Sequence, residues 1–122
     1  MDVAFDLYKN FIDGLVEQRD CIYARKIREQ RLWPKTAADY LVRQNKVISS
    51  LSEEDREIIA DMLQGARDSG VHDTLVYLNE EMTFNEMRIV VGSTELPFEP
   101  YGTEMFYDWI ARCNGDIWPD EK

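Results

Sequence analysis

Apolar residues recur along the first part of the chain at helical spacing. Phe5, Tyr8, Ile12, Leu15, Val16, Ile22 and Tyr23 keep three- and four-residue intervals, which places most of them on one face. Asp2 suits an N-cap and Asp6 a first turn. Gly14 weakens the middle by about 1 kcal/mol relative to Ala without breaking it. The pattern predicts one long helix ended by Trp33-Pro34, because the residue before a proline avoids the α region. Continuous, it would run about 40 Å at 1.5 Å per residue. Thr36 then caps a second helix, with Ala37, Leu41 and Ile48 inward.

The third helix has the clearest start. Ser52 precedes Asp55 by three residues, and Glu53 and Glu54 favour the positive end of the helix dipole. Ile58, Ile59, Met62, Leu63 and Ala66 form its stripe, and Gly70 is placed to stop it. A short fourth helix carries Val71, Leu75, Leu78 and Met82. The texture then changes. Met87-Arg88-Ile89-Val90-Val91 is apolar and β-branched, Gly92-Ser93 supplies a turn, and Thr94 to Phe98 alternates, which predicts a hairpin. A last helix from near Thr103 carries Met105, Phe106, Trp109, Ile110 and Cys113 inward and ends at Asn114-Gly115. Asp120-Glu121-Lys122 is expected to fray. The fold class is therefore mainly α (α+β): about five helices in one compact domain, residues 1–122, with a single β-hairpin near residues 87–98.

Charge changes the picture. The 122 residues hold 24 acidic and 14 basic side chains, a net charge of −10, and 44% hydrophobic residues exclude a disordered acidic tail. Residues 1–48 hold nine basic and seven acidic groups, and residues 49–122 hold five and seventeen. The acidity argues against a general binder of nucleic acid or of an anionic membrane. One basic patch departs from it: Arg25, Lys26, Arg28, Arg31 and Lys35, with Tyr23 and Trp33 interleaved. It is read either as a local phosphate or nucleic-acid contact, or as arginines paired with the chain's own acids, and the second reading is preferred. No apolar run is long enough to cross a membrane. Met1 to Asp6 lack the pattern of a signal peptide, so a cytoplasmic location is expected. Cys21 and Cys113 are expected as reduced, structural thiols.

No catalytic motif stands out. His72 is the only histidine, and no second ligand sits at metal-binding spacing from it, so no metal and no cofactor is expected. His72 is read as a polar first-turn residue or a partly buried histidine bonded to a neighbour, against a catalytic or ligand role. Residues 98–118 are denser in signal, with six of the fourteen aromatics: Phe98, Tyr101, Phe106, Tyr107, Trp109 and Trp118. Phe106 and Trp109 are assigned to the core. Tyr101, Tyr107 and Trp118 are assigned to an exposed aromatic surface of the kind that anchors interfaces. Glu104, Asp108 and Arg112 share a helix face, and Asp108 and Arg112 are spaced to pair.

Two runs in this region, Leu96-Pro97-Phe98-Glu99-Pro100-Tyr101-Gly102-Thr103-Glu104 and Tyr107-Asp108-Trp109-Ile110-Ala111-Arg112-Cys113-Asn114-Gly115-Asp116, resemble a small bacterial family of unknown function. The likeness covers roughly the last 50 residues. It implies a bacterial cytoplasmic protein, and it implies no activity and no site.

The resulting expectation is a non-enzymatic protein-interaction module. Its acidic surface would bind a basic protein partner, as immunity proteins do for nuclease toxins, or regulate one. The acidic positions expected to serve are Glu53, Glu54, Glu57 and Asp61 on the third helix and Glu104, Asp108 and Asp116 near the C-terminus. The binding candidates are Tyr101, Glu104, Tyr107, Asp108, Arg112, Trp118 and His72. The alternative is a small-molecule binder or small enzyme with its site between the hairpin and the last helix, using His72, Tyr101, Asp108 and Arg112. A concave pocket joining those groups favours the alternative. A third reading is a homodimer in which Ile22 to Trp33 pairs with a second copy.

Overall fold

The computed structural model describes residues 2–122. They are mainly helical with one two-stranded antiparallel hairpin, the α+β class expected. Two compact units form. One joins the segment ending at Arg19 to Gly70–Lys122, and the other is Asp20–Ser69.

In the first unit, α1 (Val3–Glu17) starts where Asp2 accepts a hydrogen bond from the Ala4 amide at 2.9 Å. The expected long helix does not continue past this element. The Gln18 amide bonds back to Gly14 and the Arg19 amide to Val16. Cys21 is then extended, with φ −89° and ψ 110°, and opens α2 (Ile22–Arg28) in the second unit. Nor does α2 reach Pro34. It ends in a Schellman motif, in which the Gln30 amide bonds the Ile27 carbonyl and the Arg31 amide bonds the Lys26 carbonyl. Gln30 takes the left-handed conformation that glycine usually supplies, φ 54°.

The predicted second helix begins at Asp39 rather than Thr36. It is divided at Arg43 into α3 (Asp39–Val42) and α4 (Gln44–Ser50). The third and fourth helices are one element, α5 (Glu53–Phe84). Ser52 caps it as expected, its hydroxyl accepting from the Asp55 amide at 3.1 Å. Gly70 does not stop it. A stop glycine works by adopting positive φ, and only Gly92, Gly102 and Gly115 do so. Inside a helix Gly70 costs about 1 kcal/mol relative to Ala, which weakens the helix without ending it. The Thr74 hydroxyl donates to its carbonyl at 2.8 Å.

The hairpin pairs β1 (Val90–Val91) with β2 (Thr94–Glu95), Val90 opposite Glu95. Gly92, φ 62°, occupies the first turn position, where two-residue hairpins of the II′ kind require glycine. The Leu96 amide extends the pairing to the Ile89 carbonyl. The last helix, α6 (Met105–Cys113), ends at Asn114-Gly115 as expected, with Gly115 at φ 86°.

The first unit's core joins Tyr8 and Ile12 of α1, Leu75 of α5, Met105 and Trp109 of α6, and Trp118. Each such side chain stabilises by about 1.5–3 kcal/mol through area removed from water. Ile110 faces solvent rather than the core, while Asp108 is turned inward. Of the three residues expected to fray, Asp120 and Glu121 instead belong to a 3-10 turn, Pro119–Glu121. Lys9 bridges Asp120 at 2.9 Å and Glu121 at 3.2 Å. In the second unit Cys21, Ala24 and Ala60 make a smaller core. Neither Cys21 nor Cys113 forms a disulfide among the described residues.

Candidate functional site

Five of the seven binding candidates line one cavity of about 470 Å³ in the first unit. Tyr107, Asp108 and Arg112 come from α6, at positions that share a side of that helix. Tyr101 and Thr103 come from the loop before it, and Asp116, Trp118 and Lys122 from the segment after it. The cavity thus lies between α6 and its flanking segments, not between the hairpin and α6 as expected.

Trp118 is not part of an exposed surface. It is 3% exposed and packs on Tyr8 and Tyr101, with ring centroids 6.1 and 5.5 Å away. Tyr101 is half-buried, and its hydroxyl donates to Asp120 at 3.1 Å. Burial, reinforced by that hydrogen bond, pushes its pKa up to about 12. Tyr107 is exposed, at 56%.

Asp108 and Arg112 do not pair. Arg112 reaches α1 instead, holding both oxygens of Asp13 at 2.7 and 3.2 Å. It also donates to the Asp116 carbonyl at 2.7 Å, and its guanidinium lies 5.1 Å from the Trp118 ring. Asp13 on α1 gives the guanidinium a bidentate partner, the stronger arrangement, while the Asp108 oxygens are taken by hydroxyls. Asp108 is 5% exposed. It accepts from the Tyr8 hydroxyl at 2.5 Å and from the Thr103 hydroxyl at 2.6 Å. Burial raises its pKa above the ordinary carboxylate value, Glu104 and Glu99 add to the rise, and the two hydroxyls oppose it. Burial, with the hydrogen bond to Asp108, raises the Tyr8 pKa as well.

The other two candidates lie outside the cavity. Glu104 is exposed at the N-cap of α6 without a side-chain capping bond. His72 sits inside α5, not in a first turn. Its ring meets Phe106 edge-on at 5.0 Å, and its Nδ1 is 3.2 Å from Asp73. Among the described residues no group of three His, Cys, Asp or Glu side chains is arranged to hold a metal ion.

Asn79 was missed from the sequence. It is 7% exposed on α5. Its carbonyl oxygen accepts from the Met105 amide at 3.1 Å, and its amide donates to Glu99 at 3.1 Å. One side chain thereby fixes both the start of α6 and the loop that carries Tyr101. The only available signal was a polar residue on the Leu75–Leu78–Met82 side of the helix.

The basic patch is largely neutralised within the second unit. Arg25 bridges Asp20 at 2.7 Å, Arg31 bridges Glu29 at 2.6 Å, and Arg28 bridges Glu57 at 2.9 Å and Asp61 at 3.0 Å. Lys26 lies 3.9 Å over the Trp33 ring. Divided by unit, the charge becomes simple. Asp20–Ser69 holds nine basic and nine acidic residues, and the other unit holds five basic and fifteen acidic. The whole −10 resides in the first unit. There the carboxylates of Glu17, Glu80, Glu86, Glu104 and Asp116 are exposed and make no ion pair among the described residues.

No helix among the described residues is long and apolar enough to cross a membrane. The model of a family of unknown function (DUF6547) matches residues 1–120, well beyond the C-terminal runs that carry the resemblance. No curated protein and no solved structure matches the chain.

Proposed function

The chain belongs to DUF6547, a family of unknown function, and we propose that it is a non-enzymatic cytoplasmic protein-interaction module whose acidic unit binds a basic protein partner. The observation that carries this reading is the segregation of charge. One unit is neutral and the other bears all ten excess negative charges. Self-repulsion of that kind destabilises a compact unit, and a basic partner relieves it. The partner's approach is accelerated electrostatically and weakened by salt. The footprint is set by Glu80, Glu86, Glu104 and Asp116. The acidic start of α5 contributes less, because Arg28 already compensates Glu57 and Asp61.

The cavity supports a second reading, a small-molecule site in the same unit. Its volume falls within the range of ligand pockets. Catalysis draws less support, because Arg112, Asp108 and Tyr101 are each held by partners within the fold.

Affinity capture from a lysate of the native host at low salt tests the first reading. The comparison is a variant carrying Glu80→Gln, Glu86→Gln, Glu104→Gln and Asp116→Asn. A stoichiometric basic protein, retained by the natural chain, lost from the variant and released by high salt, is the expected result. Equal retention by both chains, or recovery of no basic protein, counts against it.

A further inference from the structure

We propose that the cavity beside α6 receives a lysine or arginine side chain of the basic partner, with Asp108 as its counterion and Tyr107 as an aromatic wall. This inference rests on the proposal that the acidic unit binds a basic protein, and it names the point of entry.

The starting observation is an uncompensated charge. Asp108 is nearly fully buried, yet its two hydrogen-bonding partners, Tyr8 and Thr103, are neutral hydroxyls. The charged groups that influence it, Glu104 and Glu99, are themselves acidic. Buried charges are ordinarily paired with an opposite charge, and one left without such a partner is costly. Each Asp108 oxygen uses one lone pair on a hydroxyl, so a carboxylate retains capacity for a further donor. Asp108 and its partner Thr103 are both among the residues that line the cavity.

The other walls suit the same occupant. Tyr107 is exposed at the cavity and free to lie against an alkyl stem or a guanidinium plane. Tyr101 and Trp118 add aromatic surface. Arg112 also lines the cavity, but both oxygens of Asp13 compensate it, so it does not repel an incoming cation as a free guanidinium would. Asp116 adds an exposed carboxylate that makes no ion pair among the described residues. Lys122 is the remaining cation at the cavity, and it opposes binding.

The test uses the full chain, labelled with nitrogen-15 and titrated with a deca-arginine peptide at low salt. Trp33, Trp109 and Trp118 give three indole N–H signals, of which only that of Trp118 belongs to a residue lining the cavity. The expected result is a shift of the Trp118 indole signal on binding. Tyr107→Ala, at an exposed position that leaves folding intact, is expected to weaken binding about fivefold, within the cation–π range, while Tyr107→Phe retains the natural affinity. Salt-sensitive binding that leaves the Trp118 signal unmoved and is indifferent to Tyr107→Ala overturns the cavity assignment while the acidic-unit reading stands. Absence of any deca-arginine binding at low salt overturns both.

Discussion

Asp108 shows how far one residue's role depends on what packs around it. On the helix face it is one of three charged groups at four-residue spacing, and the spacing alone points outward. In the fold the hydroxyls of Tyr8 and Thr103 draw it inward, and Arg112 goes to Asp13. Because burial raises its folded pKa, Asp108 favours the folded state below its unfolded value, near 4. That contribution is lost as pH rises through the folded value. Glu99, Glu104, Tyr8 and Thr103 face it throughout. Asp108→Asn removes this one titration. The stability of the variant relative to the natural chain is therefore expected to improve as pH rises from about 4 towards neutral. Chemical unfolding at several pH values measures the difference, and a relative stability that falls over that range contradicts the assignment. Asp120 runs the other way. Its carboxylate is held below the ordinary range by Lys9, so its stabilisation is lost on acidification.

The elements were readable from the sequence where a helix end uses the expected residue. Asp2, Ser52 and Gly115 mark real boundaries. So do the hairpin and its Gly92 turn, where β-branched residues flank a glycine. The misread end of α2 has a local cause: the left-handed residue that follows it is Gln30, not a glycine, and Glu86 plays the same part after α5. Apolar spacing carries across a short break such as Gln18–Cys21, so the pattern alone joins α1 to α2. The converse error, at Gly70, follows from taking glycine as a stop where the helix passes through it. Two substitutions check these assignments by thermal unfolding. Nothing lies within 4 Å of a Cβ added at Gly70, so Gly70→Ala is expected to stabilise by about 0.5–1 kcal/mol. Destabilisation would mean that the helix ends there. Glu86→Gly relieves a positive φ at an exposed position and is expected to stabilise by about 1 kcal/mol. A loss of stability at Glu86 contradicts a left-handed cap.

At the scale of the whole molecule the organising feature is the distribution of charge between two units. A division of the chain at residue 48 already exposes an asymmetry, +2 against −12. The units sharpen it to 0 and −10, because α5 contributes its acidic first half to the neutral unit. That assignment was out of reach of the sequence. It depends on Glu57 and Asp61 folding against Arg28, and on α1 joining the C-terminal elements. The candidate aromatics were legible as a group, since Tyr101, Tyr107 and Trp118 do line one cavity. The exposure of Tyr107 was legible too, but not the burial of Trp118, which is covered by Tyr8 and Tyr101, far from it in sequence.

The most direct test of the central claim is calorimetric titration of the full chain with deca-arginine at increasing salt. It is paired with the variant that neutralises Glu80, Glu86, Glu104 and Asp116. The account predicts binding to the natural chain at low salt, a steady loss of affinity as salt rises, and clearly weaker binding to the variant. Binding that is absent at low salt, or undiminished when those four carboxylates are neutralised, would contradict it.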